Sequence, residues 1–131
     1  MAEKPDSPNE VNQFVLAHID SVPHLESLLL LWQNQPMPWS TEDLAARLYV
    51  EPDKARKILQ DLEREELVAA LPESPELFRY NSKSIERDRL MEAVAVTYRR
   101  ELVRLSTLIH GKASPAVPEF ARAFRFTKEK E

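Results

Sequence analysis

Metal ligation needs His, Cys or carboxylate side chains at short paired spacings, and His18, His24 and His110 do not offer them. The chain has no cysteine, which excludes disulfides and thiolate nucleophiles. Its one glycine, Gly111, excludes the glycine-rich loops that cradle phosphates or dinucleotides. Glu65 and Glu66 are adjacent carboxylates, but no surrounding pattern marks a cleft, and a charged helix end accounts for them. No catalytic residue, metal or cofactor is therefore expected. The chemistry left to the chain is that of contact, and its form depends on the elements that present the polar side chains.

At 131 residues, with 43% hydrophobic and 31% charged residues, the chain fits one domain with a modest core. Residues 1–10 lack apolar periodicity and read as a loose tail. Leu25, Leu28, Leu29 and Trp32 then fall at i, i+3, i+4 and i+7, with Ser21 or Asp20 as a cap and Pro23 in the first turn. Leu30 and Leu31 widen that apolar face, so the helix should be central. "PMPW" reads as an extended connector, since each proline disfavours helix in the residue before it.

"STEDLAARL" carries capping-box spacing at Ser40 and Asp43, with Leu44, Ala45 and Leu48 facing inward. "VEP" makes a turn, and Pro52 suits the first position of the next helix. There Ala55, Ile58, Leu59 and Leu62 repeat the core spacing, leaving Asp53, Lys54, Lys57, Gln60 and Arg64 outward. "LVAAL" and "LFRYN" flank "PESPE", the pattern of a β-hairpin in which Phe78 and Tyr80 alternate with Leu77 and Arg79.

One long helix is expected over 83–112, capped by Ser84 and stopped by Gly111. Met91, Val94, Tyr98, Leu102, Leu105 and Ile109 are spaced near a heptad along it and predict a homodimer seam. Residues 113–131 add an amphipathic segment with Phe120, Ala121 and Phe124 on one face.

The run from Ser40 to Ser82 resembles the winged helix-turn-helix of bacterial transcription regulators, broadly the MarR-like and PadR-like groups. The likeness rests on "LAARL", a turn, "KILQDLEREELV" and the hairpin. It implies a mainly α fold with a small β-hairpin wing: a winged domain over 11–82, then the long C-terminal helix. It implies a regulator that binds double-stranded DNA as a dimer, with Lys54, Arg56, Lys57 and Gln60 facing the major groove. Glutamine can pair with adenine, and lysine or arginine with guanine. Two features depart from the pattern: Glu66 stands where relatives usually carry glycine, and Glu73 and Glu76 sit in the wing, where relatives often carry Arg or Lys.

Between Ser40 and Ser82 six bases face ten acids, near −4, whereas Lys83 to Lys112 holds seven bases against four acids, near +3. Non-specific DNA affinity comes largely from Lys and Arg displacing counterions, so an acidic reader domain supports an alternative, a winged module that docks partner proteins. A pocket near Tyr98 or Trp39 for a small effector follows from analogy alone. "MAEKPDSPNE" has no basic start followed by an apolar run, and "LESLLLLW" is shorter than a membrane span, so a cytoplasmic protein without membrane contact is expected.

Overall fold

In the computed structural model, which describes residues 8–113, Leu25, Leu28, Leu29 and Leu31 all lie in the core. They belong to α2 (Val22–Gln33), with Leu30 and Trp32 packed against the same core. Apolar residues around most of its circumference make α2 the central helix. The Ser21 hydroxyl oxygen accepts from the His24 backbone N–H at 3.3 Å, and Pro23 occupies the first turn.

A helix precedes it, and its first turn lies where the end of a tail was expected. α1 (Pro8–His18) takes in residues 8–10, because Val11, Phe14 and Val15 share one buried face and a proline is compatible with a first helical turn. α1 and α2 meet at a sharp corner, their axes bent by 109°. Among the described residues, no single helix is long and apolar enough to cross a membrane.

β1 (Trp39–Ser40) follows α2, within the expected connector. α3 (Thr41–Leu48) is capped by Ser40, whose hydroxyl accepts from the Asp43 N–H at 3.0 Å, and buries Leu44 and Ala45. It ends at Tyr49 in the left-handed region, φ 60°. α4 (Pro52–Arg64) starts at Pro52 and buries Ala55, Ile58, Leu59 and Leu62. β2 (Val68–Leu71) and β3 (Ser74–Tyr80) form an antiparallel hairpin whose tip is Pro72 and Glu73, so the strands reach further into "PESPE" than expected. β1 pairs with β3 on its other edge, Trp39 opposite Phe78 and Ser40 opposite Leu77. The chain is thus mainly helical with a three-stranded antiparallel sheet in the order β1-β3-β2.

The expected long helix is two. α5 (Ile85–Arg100) is capped by Ser84, and the chain breaks at Glu101 (φ −134°, ψ 45°) before α6 (Leu102–Ala113). Gly111 is a helical residue inside α6 and does not stop it. The break lets α6 fold back along α1: Arg104 donates to Asn12 at 2.9 Å and Lys112 Nζ to the Ile19 carbonyl at 2.6 Å, so the two helices run in the same direction.

This dissolves the seam as read from spacing. Met91, Val94, Leu105 and Ile109 are fully buried within one chain, Tyr98 is half-buried, and Leu102 is 45% exposed. Burying Leu105 and Ile109 contributes about 1.5 to 3 kcal/mol each, a gain that a straight helix would have to obtain from a second copy. Phe120, Ala121 and Phe124 lie outside the described residues.

Candidate functional site

α4 is held by its apolar stripe and presents Lys54, Arg56, Lys57 and Gln60 to solvent, all four exposed. Their charges differ in availability. Arg56 Nη1 lies 2.6 Å from Asp53 Oδ1, an exposed pair of the kind worth about 0 to 1 kcal/mol that readily exchanges partners. Lys57 Nζ lies 2.8 Å from Asp61 Oδ1. Lys54 has no ion-pair partner among the described residues, and the Gln60 amide is likewise exposed.

Asp61, on the same helix, is 5% exposed and forms the hub of a polar cluster under it. Arg64 Nη2 donates to the same Oδ1 at 2.9 Å, and His24 Nε2 lies 2.8 Å from Oδ2. That nitrogen therefore donates, and the Ser21 hydroxyl 2.6 Å from Nδ1 completes the ring's hydrogen bonding. Burial pushes the Asp61 carboxyl up, but hydrogen bonds from Lys57, His24 and Arg64 outweigh it and hold the group well below the usual carboxylate range. The available signal was placement: Asp61 adjoins the Ile58 and Leu62 stripe, with cations at i−4 and i+3.

A second contact reinforces the first. His18 Nδ1 lies 2.7 Å from Glu65 Oε1, and its ring tilts against Phe14 at 5.1 Å between centroids. The α1–α2 corner thus holds the second half of α4 through two histidine–carboxylate contacts. Asp20, His24 and Asp61 bring donor atoms within 4.8 Å of one another. The set does not fit a divalent ion, because Lys57 and Arg64 already place positive charge on the one buried carboxylate.

The hairpin adds acid: Glu73 sits at its tip, and Glu76 is exposed on β3 together with Arg79. Glu66, in the link from α4 to β2, has φ 63°, and its carboxylate pairs with Lys83 at 2.6 Å, which lowers its pKa. Of the two aromatics considered for a pocket, Tyr98 lines a groove beside α2, its hydroxyl donating to Glu26 Oε2 at 2.6 Å. Burial, then the hydrogen bond and the repulsion of Glu26, raise the Tyr98 pKa, so the phenol stays a donor. Trp39 does not line that groove. Comparison with known proteins finds no family model, curated protein or solved structure that matches this chain.

Proposed function

We propose that this chain is a winged helix-turn-helix protein that binds duplex DNA, with α4 as the reading helix and α3 packed behind it. The observation that carries the reading is the exposed early face of α4. Lys54, Arg56, Lys57 and Gln60, types that pair with base edges and phosphates, share a helix whose other side is fixed in the core. The order α2, β1, α3, α4, β2, β3, with the sheet in the order β1-β3-β2, agrees with that architecture.

In this proposal Lys54 and Gln60 make the primary contacts, since neither is engaged by an acid among the described residues. Arg56 gives up its exposed partner to reach a phosphate, and Lys57 divides its charge between Asp61 and the DNA. The acidic hairpin stands clear of the backbone and contributes no affinity.

The test is retention of a random-duplex pool by the full chain at low and moderate salt, followed by sequencing of the bound fraction. Lys54→Ala with Gln60→Ala leaves the Asp61 cluster intact and is expected to weaken the best duplex by at least tenfold, with an unchanged melting temperature. Lys54→Ala with Lys57→Ala is expected to abolish retention even at low salt. No retained duplex, or a best duplex indifferent to both variants, overturns the assignment.

The alternative, a module that docks proteins, draws support from the acidic hairpin and the −4 charge between Ser40 and Ser82.

A further inference from the structure

Glu26, Leu29, Leu30 and Gln33 recur at i, i+3, i+4 and i+7 along α2 and form the floor of a groove of about 500 Å³. The end of α3 supplies one wall, with Arg47, Leu48 and Tyr49, and the end of α5 supplies the other, with Tyr98 and Arg99. A helical stripe bounded by two helix ends is an open trough, the shape that accepts an extended or helical peptide better than an enclosed small molecule.

Two observations say what fits it. Arg47 and Arg99 are exposed and form no ion pair among the described residues, while the one lining carboxylate, Glu26, is held by the Tyr98 hydroxyl. The trough therefore sets Leu29 and Leu30 between Glu26 and Gln33 at its base, with one arginine on each wall. Tyr49, in turn, is 93% exposed on a left-handed backbone, φ 60°. A bulky residue there is strained, where glycine or asparagine would be relaxed. A large aromatic displayed on such a backbone suits a surface that awaits something to cover it.

We propose that this groove docks an acidic amphipathic segment of a partner protein. One apolar side chain of the segment packs on Leu29, Leu30 and Leu48, under the ring of Tyr49. Carboxylates flanking it reach Arg47 and Arg99, whose guanidinium forks match carboxylate geometry. The inference does not depend on DNA binding, because it uses none of the α4 face.

Panning a random twelve-residue peptide display library against the full chain tests it. The expected consensus is an apolar or aromatic residue flanked by Asp or Glu, and its synthetic peptide should bind in fluorescence anisotropy. Arg47→Ala and Arg99→Ala should each weaken that peptide on the order of tenfold, and Arg47→Glu with Arg99→Glu should remove binding, all with unchanged circular dichroism. Lys54→Ala with Gln60→Ala should leave peptide affinity as it was, which separates this site from the DNA proposal. A library without an acidic consensus, a consensus peptide insensitive to the arginine variants, or full displacement by a free aromatic carboxylate at the peptide's own affinity overturns the proposal.

Discussion

Asp61 shows how much one side chain fixes. Its carboxylate is buried and joined to His24 on α2, and to Lys57 and Arg64 on its own helix. Lys57 and Arg64 are largely exposed, so removing Asp61 lets them rehydrate, whereas His24 loses a buried partner. Asp61→Ala is therefore expected to destabilise the fold by about 2 kcal/mol, less than the loss of a fully buried pair, as read from urea unfolding at pH 7. The pH dependence follows from the lowered pKa. The native state binds fewer protons than the unfolded chain, so this stabilisation is full above the ordinary carboxylate value, about pH 4, and falls as pH drops below it. Unfolding midpoints at pH 5, 4 and 3 should fall less steeply for Asp61→Asn than for the natural chain. Periodicity alone did not reveal this role, since the alternation of burial says which face a residue joins and nothing about its partners across 37 positions.

Among the elements, what was legible was local. Ser21, Ser40 and Ser84 cap the helices they precede, and Pro52 opens α4, because each acts within four residues of itself. The division of the last helix was not legible. Glu101 is neither Pro nor Gly, and the turn is made by tertiary burial of Leu105 and Ile109 together with the Arg104 contacts to Glu101 and Asn12. α1 was missed in part because its first turn, Pro8 to Glu10, is polar apart from proline. Glu66 lies between these cases: the absence of glycine was visible, and the backbone nevertheless keeps the left-handed turn at φ 63°. Glu66→Gly should relieve strain worth roughly 1 to 2 kcal/mol. Against that stand the entropy of glycine and the loss of an exposed ion pair with Lys83. The expected net result is stabilisation of about 0.5 to 1 kcal/mol, visible as a raised thermal midpoint; a lowered midpoint would show that the Lys83 contact matters more than the strain.

For the molecule as a whole, a homodimer as expected from the sequence would need a contact other than the seam read from spacing. With four of the six seam residues inside one chain, the large apolar residues left exposed near the α5–α6 break are Leu102 and Val103, the latter 79% exposed. They are too few for a stable interface alone, since such interfaces bury about 1,200 to 2,000 Å². A second copy held through them should be a weak, concentration-dependent one. Sedimentation at tens of micromolar should show exchange between one copy and two, and Val103→Asp should leave one copy without changing the melting temperature; exchange persisting in the variant would place the contact on another face.

The pairing of α1 with α6 also bears on how the chain comes into being. Arg104 meets Asn12 across 92 positions, and Lys112 meets Ile19 across 93. On the ribosome, the apolar side of α1 emerges early and waits while the central helices and the sheet assemble. Closing a loop of that length is entropically costly, and the native core is completed only after α6 has been made. Until α5 and α6 are in place, Val11, Phe14 and Val15 lack part of their native cover, and the incomplete chain should be more prone to aggregation than the folded one.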